Sequence, residues 1–139
     1  MQIQNFVTPQ AVSYQLSNLS QLTFEVTDAC NLRCKYCGYG EFYEDYDKRE
    51  NKKLPVANAI KLLDYLVELW NSEQNVSSNR NVNVSFYGGE PLLNMEFIKQ
   101  VVAYLEEANC PSRHFIFSMT TNAILLERYM DYLVEKDFY

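Results

Sequence analysis

Three of the four cysteines lie in one short segment, "TDACNLRCKYCGYGEF", at positions 30, 34 and 37. Three clustered thiols cannot pair into disulfides without leaving one over, and such clusters more often serve metal or redox chemistry. A structural zinc site usually has four protein ligands, and a catalytic one has three plus water. A [4Fe-4S] cluster held by three cysteines keeps one iron open for a substrate or cofactor. The spacing therefore favours an iron–sulfur cluster over zinc.

The other candidate ligands are Cys110 and His114, the single histidine of the chain. His114 lies at the start of a predicted strand, at the opposite end from the cysteine segment. We therefore predict a structural role for His114, which disfavours a zinc site of three cysteines and one histidine. Cys110 lies between a predicted helix and a predicted strand, and we predict a structural cysteine or a free loop thiol there.

Strands and helices are predicted to alternate along the chain. Short apolar or alternating runs predict strands in "QLTFEVTDA", "VNVSFYG" and "HFIFSMT". Apolar residues at helical spacing follow each strand, first after Pro55, then after Asn94 as the predicted N-cap, and last after the third strand. This order predicts an α/β fold with parallel strands and with helices on one or both faces. The cysteine segment then follows the end of the first strand, where α/β folds place their chemistry.

Three segments together resemble the radical S-adenosylmethionine (radical SAM) enzymes. Cys30-Asn-Leu-Arg-Cys34-Lys-Tyr-Cys37 is similar to the CxxxCxxC signature of that family, "SFYGGEPLLN" to its GGEP motif, and "MTTNAILL" to its third motif. Each lies at a predicted strand end, and the resemblance extends from Leu22 to the end of the chain. It implies the N-terminal portion, about three βα units, of a partial (β/α)6 TIM-like barrel. Residues 21–139 would form this incomplete core, and residues 1–20 a flexible leader.

The resemblance implies two cofactors. Cys30, Cys34 and Cys37 would ligate a [4Fe-4S] cluster, and the amino and carboxylate groups of S-adenosyl-L-methionine would chelate the open iron. Reductive cleavage of S-adenosylmethionine in this family gives methionine and a 5′-deoxyadenosyl radical, which abstracts a hydrogen from the substrate. The residues that the motifs assign to S-adenosylmethionine binding are Tyr36, Gly88, Gly89, Glu90, Pro91, Thr121 and Asn122.

Several of these assignments have simpler alternatives. The glycines Gly88 and Gly89 would let a ligand approach the backbone, or they form a plain tight turn. Glu90 would accept from the ammonium of the cofactor, whereas Pro91 also fits simple loop punctuation. Asn122 precedes a predicted helix, so an N-cap role fits it as well as cofactor contact. Tyr36 matches the aromatic residue near the adenine, although a tyrosine at one position alone more often serves packing.

The third motif departs from the family pattern at one position. Ala123 stands where glycine is common in this family, which weakens the assignment of Asn122 more than the family resemblance. The segment Gly38 to Leu54 is long, with acidic and aromatic residues first and basic residues after. It fits either a solvated loop or an active-site loop, because long loops in compact domains are often functional.

The residue sequences of the motifs are most similar to those of the family members that modify peptides and proteins, first peptide maturases and second sulfatase-maturing enzymes. The resemblance implies a peptide or protein substrate and an electron donor such as flavodoxin or ferredoxin. The alternative is a zinc or Fe–S binding module without catalytic activity. The formal charge of −6 disfavours nucleic acid and anionic membranes as partners. No apolar run could span a bilayer, so we expect a cytoplasmic protein.

The chain stops at "KDFY", where a fourth strand would begin. We expect either a very small α/β domain or, as we favour, the front part of a larger barrel. A half-barrel leaves an open strand edge and an uncovered apolar face, both costly in water. The fragment alone is therefore expected to be inactive, and to self-associate or to bind its cluster weakly.

Overall fold

The computed structural model describes residues 7–38, 49–77 and 79–139. Strands and helices alternate after a first helix, and a short 3₁₀ turn directly precedes the third helix. The elements in chain order are α1 Pro9–Ser17, β1 Gln21–Thr27, α2 Val56–Trp70, β2 Arg80–Gly88, the 3₁₀ turn Pro91–Asn94, α3 Met95–Glu107, β3 Arg113–Met119 and α4 Leu126–Glu135.

The three strands form one parallel sheet in the order β1-β2-β3. Both strand pairings are parallel, so all three strands run in the same direction. In this register Thr23 lies opposite Ser85, and Ser85 lies opposite Ser118. Parallel neighbours need crossover connections, and helices α2 and α3 occupy them. The predicted α/β fold of three βα units is confirmed. It is consistent with the N-terminal portion of a partial (β/α)6 barrel.

One face of the sheet packs against the helices and forms the core. Alternate residues of β2 are fully buried because successive strand side chains point to opposite faces. They contact the buried stripes of α2 and α3, whose apolar residues recur every three or four positions. The central members of this core are Phe24, Val26, Leu63, Leu66, Val82, Val84, Phe86, Ile98, Val101 and Phe117.

The other face of the sheet is mostly polar, so this face is not the uncovered apolar face that we expected of a half-barrel. Its side chains are exposed or half-buried and mostly polar, and two of them, Ser85 and Ser118, are hydrogen-bonded through their hydroxyl groups at 2.7 Å. A polar strand face needs no helix to cover it in water. The described residues that alternate onto this face include Gln21, Thr23, Glu25, Asn81, Asn83, Ser85, Tyr87, His114, Ile116 and Ser118.

Helix α1 lies in the segment that we expected to be a flexible leader. Thr8 caps it by accepting from the Ala11 amide at 3.1 Å, with Pro9 in the first helical position. The indole of Trp70 donates to the Leu16 carbonyl at 3.2 Å and thereby joins the end of α1 to α2. The sequence did not predict this helix because its apolar residues are few. The leader residues Met1 to Phe6 lie outside the described residues.

Two predicted helix caps differ from the structure in their contacts. Asn94 precedes α3 as predicted, but its side chain makes no cap hydrogen bond and instead donates to the Val26 carbonyl at 2.8 Å. Asn122 does not cap α4, because that helix begins only at Leu126. In both cases the amide side chain holds a neighbouring segment rather than a helix end.

None of the helices in the described part of the chain is both long enough and apolar enough to cross a bilayer.

Candidate functional site

The segments that follow the three strands meet at one edge of the sheet. Parallel strands bring their carboxyl ends together, so three stretches that are distant in sequence become neighbours. They are the cysteine segment after β1, the turn at Gly88 to Pro91 after β2, and Thr120 to Asn122 after β3. The predicted motifs are thus gathered in one place.

Close contact between two backbones explains the glycine pair. The amide of Gly89 donates to the Thr27 carbonyl at 2.7 Å, and the amide of Glu90 donates to the Ala29 carbonyl at 2.8 Å. A Cβ atom at Gly89 would lie 2.2 Å from the Ala29 oxygen, and Gly88 has a φ of 137°, which side-chain-bearing residues rarely adopt. The glycines therefore let the turn after β2 lie directly against the start of the cysteine segment.

The carboxylate of Glu90 joins the second motif to the third. The residue is fully buried, and its Oε1 accepts from the Leu92 amide at 3.0 Å and from the Thr121 hydroxyl at 2.7 Å. Its Oε2 accepts from the Asn122 amide at 2.8 Å. Pro91 is also buried and occupies the first position of the 3₁₀ turn that Glu90 caps. In this structure the acceptor predicted for the cofactor ammonium is engaged by donors of the chain itself.

The side chain of Asn122 reaches the cysteine segment. Its Nδ2 donates to Asn31 Oδ1 at 2.8 Å and lies 3.7 Å from the Cys30 sulfur. Its Oδ1 accepts from the Ile124 amide at 3.1 Å, which closes a tight turn. Ala123, in the middle of that turn, has a φ of 63°. This left-handed conformation suits glycine best, so Ala123 adopts a backbone conformation that favours the glycine of the family pattern.

The three clustered cysteines are free thiols and are half-buried. Two of their sulfurs accept hydrogen bonds from nitrogen donors. The Leu32 amide lies 3.4 Å from Cys30 Sγ, and Arg49 Nη2 lies 3.3 Å from Cys37 Sγ. The amide of Cys37 donates to the Cys34 carbonyl at 3.1 Å and curls the segment. Nitrogen donors from two other residues of the chain therefore hold the side chains of Cys30 and Cys37 in place.

Tyr36 projects from the cysteine segment into solvent, with 86% of its surface exposed. A hydrogen bond with the Cys34 thiol, followed by the charge of the same sulfur, raises the pKa of Tyr36. The packing alternative for this residue is therefore wrong for the described part of the chain. Its predicted contact with adenine stays a prediction.

A return segment, defined here as residues 49–54, lies beside the cysteine segment. Asp28 Oδ2 accepts from the Glu50 amide at 2.7 Å, and Lys53 forms an antiparallel bridge with Thr27. Arg49 from this segment donates to the Leu32 carbonyl at 3.2 Å in addition to Cys37 Sγ. Sequence analysis named neither Asp28 nor Arg49. The only signal was the basic end of the long Gly38 to Leu54 segment, of which residues 39–48 lie outside the described residues.

The donor set fits a [4Fe-4S] cluster. Among the described residues, no three cysteine, histidine, aspartate or glutamate side chains are gathered around a single-ion position. In a four-iron cluster each cysteine binds a different iron, so the sulfurs need not converge on one point. Asp28 Oδ1, at the base of the cysteine segment, is buried and has no hydrogen-bond partner among the described residues. Cys30, Cys34 and Cys37 would hold the cluster.

Cys110 and His114 lie away from this edge, as predicted. His114 is exposed near the start of β3, at the amino end of the sheet. Cys110 is buried before β3, and burial raises the pKa of its thiol, which disfavours a reactive thiolate.

Comparison with known proteins identifies similar sequences over most of the chain. A model of the radical SAM superfamily matches residues 24–138. The chain is 37% identical to the GTP 3',8-cyclase of Clostridium acetobutylicum, over 78% of this chain and 29% of that protein. It is 27% identical to the cysteine-type anaerobic sulfatase-maturating enzyme of Clostridium novyi, over 88% and 31%. It is 29% identical to the radical SAM cyclopropyl synthase TigE of Paramaledivibacter caminithermalis, over 73% and 21%. The chain therefore spans less than a third of each relative.

Proposed function

The chain belongs to the radical SAM superfamily, and from this premise we propose that it forms the cofactor-binding part of an enzyme that modifies a peptide or protein. Members of the superfamily bind a [4Fe-4S] cluster and S-adenosylmethionine. The observation that carries the proposal is the meeting of three motifs at one sheet edge. Glu90 joins the second motif to the third, and Asn122 joins the third to the cysteine segment.

The residues of this chain have separable tasks in the proposed reaction. With both cofactors bound and the cluster reduced by one electron, they would supply radical chemistry that removes a hydrogen atom from the substrate. Cys30, Cys34 and Cys37 hold the iron. Gly89 brings the turn after β2 within hydrogen-bond distance of the cysteine segment, and Glu90 fixes the position of the turn after β3. The chain thereby builds a preorganised edge on which S-adenosylmethionine would bind.

The substrate class rests on similarity to particular relatives. Two of them are sulfatase-maturating enzymes, from Clostridium novyi and Clostridium perfringens, and their names describe action on a protein. The alignments cover 88% and 86% of this chain. On this basis we assign a peptide or protein substrate and a flavodoxin or ferredoxin as electron donor. We also propose a cytoplasmic location, since clustered cysteines of this kind are more typical of metal or redox sites in a reducing compartment than of a disulfide framework.

Anaerobic reconstitution tests the cofactor part of the proposal. The chain is incubated with iron and sulfide, and bound iron, sulfide and the visible absorbance of the cluster are measured. We expect cluster uptake, and a change in the electron paramagnetic resonance spectrum of the reduced cluster when S-adenosylmethionine is added. The variant in which Cys30, Cys34 and Cys37 are all alanine should take up none. Cys110→Ala is the matched control, because it removes a thiol at the other end of the sheet.

Two results would contradict the cofactor assignment. If the anaerobically purified chain contains zinc and no iron, a zinc module is the better interpretation. If the cluster forms but calorimetry detects no binding of S-adenosylmethionine, the chain is an iron–sulfur module without this chemistry. We expect neither, because the radical SAM superfamily model matches residues 24–138, which include all three motifs.

A GTP cyclase is the second candidate function, favoured by the 37% identity to a GTP 3',8-cyclase. Production of 5′-deoxyadenosine separates the two candidates. The complete protein containing this chain is given either GTP or a mixed peptide digest, each with deuterium at carbon positions. Deuterium appearing in 5′-deoxyadenosine with the peptides supports our proposal, and deuterium appearing only with GTP contradicts it. The 139-residue chain alone is expected to show no turnover with either.

A further inference from the structure

The guanidinium of Arg49 holds two points of the cysteine segment at once. Its Nη2 donates to Cys37 Sγ at 3.3 Å, and its Nη1 donates to the Leu32 carbonyl at 3.2 Å. Leu32 lies between the first and second cysteines, and Cys37 is the third. A planar fork of donors suits this arrangement, because the two bonds fix both the position and the orientation of the segment.

The return segment holds Arg49 in place through backbone contacts with the end of β1. The Glu50 amide, next to Arg49, donates to Asp28 Oδ2 at 2.7 Å. The Lys52 carbonyl accepts from the Thr27 hydroxyl at 2.6 Å and from the Asp28 amide at 3.3 Å. These contacts tie the return segment to the same strand end from which the cysteine segment starts. The position of Arg49 relative to Cys37 is therefore set by the fold and not by the side chain alone.

Hydrogen bonds to ligating sulfurs and the local charge are among the factors that set the reduction potential of an iron–sulfur cluster. A cationic donor draws negative charge from the sulfur, which favours the reduced and more negative cluster. Partners of metal ligands also orient those ligands and support metal retention. Both effects are expected of a guanidinium that donates to Cys37 Sγ.

We propose that Arg49 is a positioning residue for the cluster: it clamps the cysteine segment through Leu32 and Cys37, and it raises the reduction potential by donating to Cys37 Sγ. This inference rests on the proposed function for its cluster part. The clamp itself concerns only residues of the chain and can be measured without iron.

The experiment compares Arg49→Gln and Arg49→Lys with the wild-type chain. Lys52→Gln is the matched control, because it removes a positive charge from the same segment. The Lys52 side chain is 77% exposed and pairs with Glu50. Three quantities are measured: the midpoint potential by an electron paramagnetic resonance titration, the rate of iron loss to a chelator, and amide hydrogen exchange of residues 30–38 in the iron-free chain.

We expect Arg49→Gln to shift the midpoint to a more negative potential and to accelerate iron loss by about 10-fold or more. Exchange of residues 30–38 should also become faster in the iron-free variant. Arg49→Lys should restore part of each effect, since an ammonium donates from a single point and cannot hold both acceptors in fork geometry. Lys52→Gln should stay within about twofold of wild type in iron loss, because exposed charges contribute little.

The results that would overturn the inference about Arg49 are distinct from the result that would contradict the proposed function. Unchanged potential and unchanged exchange in Arg49→Gln would overturn the inference about Arg49. Equal effects of Arg49→Gln and Lys52→Gln would also overturn it, because general charge would then explain them. A wild-type chain that takes up no iron contradicts the proposed function, and the exchange measurement then still decides whether Arg49 clamps the segment.

Discussion

Glu90 and the glycine before it show how single residues shape the site. Glu90 is fully buried, and both of its carboxylate oxygens accept hydrogen bonds from the chain. At Gly89 the Ala29 carbonyl lies so close that there is no room for a side chain. Both residues have structural tasks that operate before any ligand binds. Their variants should therefore lose stability in the cofactor-free chain, which a purely cofactor-binding role would not predict.

The substitution Gly89→Ala should destabilise the fold by about 1–3 kcal/mol, the usual cost of forcing an extra carbon into a filled site. The added Cβ would lie 2.2 Å from one backbone oxygen and 2.5 Å from another. Urea unfolding of the cofactor-free chain measures the change. Gly38→Ala is the control: a Cβ there would meet no atom of the described residues within 4 Å, and its effect should be within about 0.5 kcal/mol. Equal stability of the two variants would contradict the backbone contact.

The substitution Glu90→Gln replaces one acceptor oxygen of the carboxylate with an amide NH₂ group. This group is itself a donor and would face hydrogen-bond donors of the chain. We expect a loss of about 1–3 kcal/mol in the free energy of unfolding without cofactors, because buried donors lose their acceptor. The Asn122 amide should also exchange its hydrogen faster. Glu68→Gln, on the exposed side of α2, makes the same chemical change and should leave stability nearly unaltered. A stable Glu90→Gln chain with weakened S-adenosylmethionine binding would instead favour the predicted ammonium contact.

At the scale of elements, helices α2 and α3 pack side by side on the same face of the sheet. Their buried stripes contribute most of the core, and a polar contact joins their outer surfaces. Tyr104 on α3 donates its hydroxyl to Asp64 on α2 at 2.5 Å. Burial first, and then this hydrogen bond, raises the pKa of Tyr104 from 10.0 to about 12. The stabilising contribution of this contact therefore depends on pH, and the direction of the pH effect follows from the raised pKa.

The contribution of Tyr104 to stability should be complete below pH 10 and should disappear as the pH rises to about 12. The folded chain keeps the phenol proton in this range, whereas the unfolded chain releases it near its ordinary pKa, so stability falls as pH rises. Urea unfolding from neutral pH to pH 12 should show a steeper fall for wild type than for Tyr104→Phe. Asp64→Asn keeps the burial and removes the charge, so it should behave in between. Parallel curves for all three would refute the assignment.

At the scale of the whole molecule, several elements carry exposed apolar side chains, and two of the most exposed lie in or just after α4. Val134 is 73% exposed and Tyr139 is 76% exposed, and they line a surface groove of about 440 Å³ between α4 and the end of β3. The open face of the sheet carries mainly polar side chains. If the chain self-associates, the helix surface offers the stronger hydrophobic driving force.

We predict that the 139-residue chain associates weakly in a concentration-dependent manner, and that Val134→Glu shifts it towards the monomer. A charge in the groove would have to be desolvated on association, which is unfavourable. Sedimentation velocity over a concentration series measures the shift. Val76→Glu is the control, because Val76 is 68% exposed in the loop before β2, far from α4 in sequence. Equal effects of both variants would exclude the groove as the contact.

The sequence by itself determined the three βα units, the alternation of buried strand positions and the three motifs. These features depend on local periodicity and on residue types at short spacing, which are visible without neighbours in space. Helix α1 escaped prediction because contacts with Trp70 and Arg113, rather than an apolar stripe, join it to the fold. The polar open face was missed because the expectation came from the barrel and not from the alternation in β2.

Only the tertiary structure decided which partner each site residue has. The sequence could not show that the glycines of the second motif lie against Thr27 and Ala29, or that Glu90 reaches the third motif. It also gave no reason to connect Arg49 with Cys37. These contacts join residues from different strand ends, and their distances follow from the parallel packing of the sheet. Local sequence encodes the elements, whereas the registration between them places the donors and acceptors of the cysteine site.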